Sequence, residues 1–160
     1  MNSAVVREMH LIHYGSDCFL LDRFEQVKNN AIRKPDGGLW TSPAGSEWGW
    51  REWSMHNGYR LERLDKFFEV WIKGRIYKID TVEDMLSMPW VAMDSSYAYL
   101  KSPDYEFMRS SGIDAIWLTV NGERGTRLSF PHNLYGWDCE TVYIMNPDII
   151  LEKSEERIKT

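Results

Sequence analysis

No apolar run in this sequence approaches the roughly 18 residues that a membrane-spanning helix needs, so no membrane partner is expected. The opening MNSAVVREMHLIHY lacks an apolar segment behind a basic start, which points away from a secretory signal. Cysteine is scarce: Cys18 and Cys139 are the only two, too few for a disulfide scaffold and better suited to a reducing, cytoplasmic setting. Basic charge is in deficit, with 19 Lys and Arg against 24 Asp and Glu and a net charge of −5. That balance argues against a general nucleic-acid binder, whose affinity comes from neutralising phosphates. A local basic patch around Arg124 and Arg127 stays open. Internal repeats, low-complexity tracts and long linkers are missing too, and 160 residues at 43% hydrophobic read as one domain, 1–160.

Several standard chemical motifs are also missing. There is no G-x-G-x-x-G and no P-loop, so neither common phosphate loop is available. No G-x-S-x-G elbow marks a serine nucleophile. Cys139 lies between Asp138 and Glu140, acids that raise a thiol pKa and disfavour a reactive thiolate. His10 and His13 form an H-x-x-H pair, but on a strand that spacing puts them on opposite faces, where they cannot share a metal. Cys18 adds no recognised ligand spacing, so no metal site is expected.

What the chain does have is aromatic side chains, 14% of the total with eight tryptophans. Each supplies a large contact area, for core or for site. Strand signals cover Val5–His13, Leu39–Ser42, Ile113–Val120 and Glu140–Met145, and Phe67–Ile72 with Arg75–Ile79 reads as a hairpin turning at Lys73–Gly74. Helices are expected over Arg23–Asn30, from Ser46 to Gly58, after a capping box at Thr81, and from Ser102–Pro103 to Gly112. Strands outnumber helices and cluster as hairpins, which indicates an α+β fold and not a doubly wound sheet.

One stretch resists an ordinary structural reading. In KPDGGLWTSP, residues 34–43, two prolines and two glycines bracket a four-residue core. Taken with HYGSD at 13–17 and CETVYIMNPDII at 139–150, it resembles the three-part signature of the ADP-ribosyltransferase superfamily. In its diphtheria-toxin and poly(ADP-ribose) polymerase branch, a strand-end His is followed by Gly and Ser or Thr. An aromatic segment comes next, then a Glu that opens a strand. Here Tyr14 stands between the His and the Gly, and Trp40 stands where that branch has Tyr. With GW-x-x-W at 49–53 and LYGWD at 134–138, the pattern is also similar to a group of small phage and bacterial proteins.

The resemblance implies a split antiparallel β-sheet with short flanking helices, gripping NAD as substrate without a metal. It implies transfer of ADP-ribose to a macromolecular acceptor, protein being the expected class, or to water, in a phage-encoded or toxin-like effector. Glu140 and His13 would be the catalytic pair. Cleaving the nicotinamide–ribose bond develops oxocarbenium character, which a carboxylate such as Glu140 stabilises. His13 would hydrogen-bond the adenosine ribose, Gly15 and its neighbours Tyr14 and Ser16 would approach the nicotinamide amide, and Trp40 would stack on the nicotinamide ring. Thr41 and Ser42 complete that wall, Ser42 positioning Glu140, while Trp50 and Trp53 suit core or pocket. Two rival readings stand beside it. One is a non-catalytic aromatic-rich module binding a protein or small ligand. The other is a glycoside hydrolase using Asp138 and Glu140 as its carboxylate pair.

Overall fold

The computed structural model describes residues 4–30, 34–92 and 101–151. These form strands β1 (Ala4–Tyr14), β2 (Leu39–Pro43), β3 (Phe67–Ile79), β4 (Trp90–Ala92), β5 (Lys101–Pro103), β6 (Ala115–Leu118) and β7 (Thr141–Ile144). Helices α1 (Trp50–Asn57), α2 (Val82–Leu86), α3 (Tyr105–Ser110) and α4 (Val120–Thr126) lie between them. Five strands close into a barrel in the order β1–β2–β7–β6–β3, and β4 pairs with β5 apart from it. The class is mixed α+β. No helix among the described residues is long and apolar enough to cross a membrane.

Side chains alternate between the two faces of a strand, so one set of residues fills the barrel and the next set faces outward. Leu11, Val70, Ile72, Ile76, Ala115, Val142 and Ile144 make the inner cluster. Tyr77, Ile79, Ile116, Leu118 and Tyr143 face the other way and pack under Met85 of α2 and Tyr105 and Met108 of α3. Each fully buried Leu or Ile contributes about 1.5–3 kcal/mol relative to exposure, so both faces hold the barrel.

The structure departs from the sequence expectations at several points. The hairpin at Lys73–Gly74 does not exist: β3 runs unbroken for 13 residues, pairing antiparallel with β1 and parallel with β6. Gly74 serves close packing, since a Cβ there would stand 2.7 Å from Ile149 Cγ2. The parallel β3–β6 pair and the closed barrel replace a purely antiparallel split sheet. The expected helix over Arg23–Asn30 is a single 3-10 turn at Leu21–Arg23. Beyond it the chain is held extended, because Lys28 bridges to Asp36 and Asn29 is tied to the start of α3. The Asn29 Oδ1 accepts from the Tyr105 and Glu106 amides at 2.9 and 3.2 Å. Ser102–Pro103 lies in β5; Asp104, accepting from the Phe107 amide at 3.1 Å, caps α3 instead. The strand expected over Ile113–Val120 is confined to Ala115–Leu118, because Thr119 caps α4, a helix the sequence reading did not foresee. The Thr81–Asp84 capping box is present, and α1 ends at Gly58 as expected.

The double glycine of KPDGGLWTSP is fixed by sterics. Both residues hold positive φ, +75° and +70°, a region that L side chains enter at a cost of about 1–2 kcal/mol. A Cβ on Gly38 would lie 2.3 Å from the Tyr143 ring, and one on Gly37 would lie 2.2 Å from the Gln26 carbonyl oxygen. Gly38→Ala is therefore expected to lower stability by at least about 2 kcal/mol, summing backbone strain and overpacking. Urea unfolding checks this; a midpoint equal to wild type would contradict it.

Candidate functional site

The central position of β2 brings three distant segments together. Its residues pair with β1 through Leu11↔Pro43 and Ile12↔Ser42, and with β7 through Trp40↔Tyr143 and Thr41↔Val142. Residues 12–14, 40–42 and 138–141 thus lie side by side, and α1 with the turn after it covers them. Between these parts is a cavity of about 230 Å³. His13, Tyr14, Trp40, Trp50 and Asp138 are on its wall, with Lys34, Arg60 and Arg63 at the same site. That volume is below the ~300–1,000 Å³ of pockets that enclose a whole drug-sized ligand. It suits a nucleoside-sized portion, with the rest of a larger ligand lying along the mouth.

The wall is braced by hydrogen bonds from one hydroxyl. Ser42 Oγ donates to the Glu140 carbonyl at 2.9 Å and accepts from the Trp50 amide at 2.9 Å. It therefore joins β2, the lead-in to β7 and the first residue of α1. Gly49 permits this approach: a Cβ there would stand 3.0 Å from Ser42 Cβ. Thr41 Oγ1 donates to the Val142 carbonyl at 2.6 Å, pinning the same strand pair.

Glu140 sits one residue before β7 and is buried. Cys139 and Thr141, its chain neighbours, both line the cavity, whereas Glu140 does not. Its Oε1 accepts from Ser46 Oγ at 2.5 Å and its Oε2 from Trp117 Nε1–H at 3.0 Å. Its amide donates to the Trp48 carbonyl at 2.8 Å. The acidic residue on the cavity wall is Asp138, whose Oδ1 is 3.5 Å from Arg127 Nη1 in a neighbouring cleft that Asp138 also lines. Asp138 and Glu140 thus engage different partners and do not flank the cavity as a pair.

His13 Nδ1 donates to the Trp40 carbonyl at 2.6 Å, and its ring stacks on Phe68 at 4.9 Å. This bond fixes the neutral tautomer with the proton on Nδ1, leaving Nε2 as an acceptor. Burial holds the imidazole pKa below its ordinary value, opposed by the bond to Trp40. His10 has separate surroundings, stacked on Trp71 and 3.0 Å from Glu69. Among the described residues no group of three or more His, Cys, Asp or Glu could hold a metal ion. Burial pushes the Cys139 thiol up to about 11, so it stays protonated at neutral pH.

Trp40 belongs to both core and cavity. Its indole packs on Tyr143 and Trp137, with centroids 4.4 and 5.0 Å away. Lys34 Nζ lies 5.1 Å from its ring centre and 6.0 Å from that of Trp50. Trp50 stacks on Trp53 at 5.1 Å, and Tyr59 meets both edge-on.

Of the residues singled out from sequence, His13, Tyr14, Trp40, Thr41, Ser42 and Trp50 line the cavity. Gly15, Ser16 and Glu140 do not, and the Gly15 amide already donates to the Lys66 carbonyl at 2.8 Å. Sequence reading missed Ser46 and Trp117 as partners of Glu140, and the three cations. Trp117 shares strand parity with Val142 across β6–β7, a signal legible once that pairing is known. Arg60 and Arg63 carry no sequence signal, because only the turn after α1 brings them to the cavity. Arg127, half of the suspected basic patch, is engaged by Glu123 at 3.3 Å and by Asp138. Comparison with protein-family models, curated proteins and solved structures returns no match.

The His13 environment has a consequence for stability. With the folded pKa below the ordinary 6.5, the unfolded chain takes up the proton first as pH falls. The stability linked to His13 is complete above 6.5 and is lost as pH drops from there through the lower folded value. Denaturant titrations at pH 7.5 and 5.5 are expected to show a larger loss for wild type than for His13→Gln. Equal losses would contradict the assignment.

Proposed function

We propose that the protein binds NAD in this cavity and cleaves its nicotinamide–ribose bond, passing ADP-ribose to an acceptor, protein or water. The observation that supports this reading is that residues 12–14, 40–42 and Asp138, Cys139 and Thr141 meet on one cavity, with Glu140 just behind its wall. They overlap the segments 13–17, 37–43 and 139–150 whose order along the chain resembles the ADP-ribosyltransferase signature, although the Glu of the third is not on the wall. Two indoles for a flat ring and an imidazole with a free acceptor nitrogen for a ribose hydroxyl are the side chains such a ligand requires. The proposal takes the barrel as a closed version of the split sheet that the resemblance implies.

The reaction needs a carboxylate against the ribose, where oxocarbenium charge develops. Glu140 has both oxygens engaged by Ser46 and Trp117, whereas Asp138 is on the cavity wall with only its Oδ1 contacted, by Arg127 at 3.5 Å. The ribose contact is therefore assigned to Asp138, and Glu140 holds the start of β7 against the 46–50 turn.

Nicotinamide release from NAD tests the reading. Wild type is expected to release nicotinamide, Asp138→Asn to be slower by about 100-fold, and Glu140→Gln to lose mainly thermal stability. No release from wild type, with or without cell extract, would sink the reading. Loss of release in Glu140→Gln with an unchanged melting temperature would return the catalytic carboxylate to Glu140.

A further inference from the structure

The cavity has a cationic side that neither the sequence motifs nor the proposed chemistry uses. Lys34, Arg60 and Arg63 all line it. Among the described residues none of the three is within ion-pair distance of a carboxylate. Asp138, the one acid on the wall, is beside Arg127 instead. In a chain of net charge −5, three cations on one cavity with no carboxylate partner among the described residues favour an anion there.

The backbone presenting two of them is unusual. Arg60 holds φ 49° and ψ 41°, and it is the one non-glycine residue with positive φ among the described residues. A bulky side chain in this left-handed region is disfavoured and persists only where its surroundings impose it. Those surroundings are aromatic. Tyr59 is wedged edge-on against Trp50 and Trp53, and the Arg60 guanidinium lies 5.0 Å from the Tyr59 ring centre. Gly58, also left-handed, ends α1, and Arg60 leads directly into the 3-10 turn Leu61–Arg63. Both guanidinium-bearing residues line the cavity together with Lys34, whose ammonium lies over the Trp40 and Trp50 rings.

We infer that Arg60, Arg63 and Lys34 form a diphosphate-binding wall, so that the cavity selects a nucleoside diphosphate moiety over the neutral nucleoside. Guanidinium groups suit this task, because their planar donor forks match phosphate oxygens in pairs. The aromatics take the flat ring, and the cations beside them, Lys34 over Trp40 and Trp50 and Arg60 over Tyr59, take the adjoining phosphates. The inference deepens the reading above and rests on it for where the ligand lies, but the wall recognises any nucleoside diphosphate, whether or not NAD is cleaved.

Titration of the full chain with adenosine, AMP and ADP, followed by tryptophan fluorescence at low and at physiological salt, tests this. ADP is expected to bind at least tenfold more tightly than adenosine, with the advantage shrinking as salt rises. The double variant Arg60→Gln with Arg63→Gln is expected to lose that advantage while its adenosine affinity stays within twofold of wild type. Arg60→Gly, which suits the left-handed backbone, keeps the fold and is expected to weaken ADP binding without lowering the melting temperature. Equal binding of adenosine and ADP, or undiminished ADP binding in the folded double variant, would overturn the inference. Arginine-dependent ADP binding in a protein that releases no nicotinamide would uphold the wall and reject NAD cleavage.

Discussion

The Ser42 hydroxyl is the point on which the rest of the site depends. Donating to the Glu140 carbonyl and accepting from the Trp50 amide, it fixes the separation of β2, the approach to β7 and the start of α1. These three elements carry the cavity's aromatic and acidic walls. Ser42 is buried, so removing its hydroxyl leaves the Glu140 carbonyl and the Trp50 amide without this partner, a loss of about 1–3 kcal/mol for each group that stays unsatisfied. The glycine at 49 and the double glycine at 37–38 serve the same geometry, removing side chains where backbone must pass close to Ser42, Tyr143 and Gln26.

Around that point the site divides by chemistry. Indoles and a tyrosine supply flat apolar surface, and a neutral imidazole offers one acceptor nitrogen. One acidic residue is on the wall, and three cations line the same cavity beside the aromatic rings, with no carboxylate partner among the described residues. Glu140 stands behind this wall, its carboxylate engaged by Ser46 and Trp117. The same residue that a motif marks as reactive can thus act by holding a strand start. The two roles separate experimentally because one governs turnover and the other stability.

How much of this was legible in the sequence follows from which signals are local. The β1, β2 and β7 strands were legible from apolar runs and turn punctuation; that His13 and Trp40 share a cavity was expected only from the resemblance, and Glu140, expected with them, lies behind its wall. The capping box at Thr81 and the Gly58 helix end were legible because they are local hydrogen-bond and φ requirements. Three features were not. Lys73–Gly74 looked like a hairpin turn, yet Gly74 is small because Ile149, 75 residues on, packs against it. Arg23–Asn30 looked helical, yet Asn29 is captured by the amides of α3. Arg60 and Arg63 belong to the site only because the turn after α1 brings them to the cavity. Each depends on a tertiary contact that no local pattern encodes.

The stretch KPDGGLWTSP takes its meaning from that packing. Its glycines let β2 pass the Tyr143 ring, its serine braces the wall, and its tryptophan has one side in the core and one on the cavity. The most direct test of the central claim, that these three segments form one nucleotide site, is a 1H–15N NMR titration with NAD. The account predicts that the indole signals of Trp40 and Trp50 and the amides of Ser42 and Thr141 shift together, while the indoles of Trp71 and Trp117 stay in place. No shift at Trp40 and Trp50, or shifts centred on Trp71 or Trp117, would contradict it.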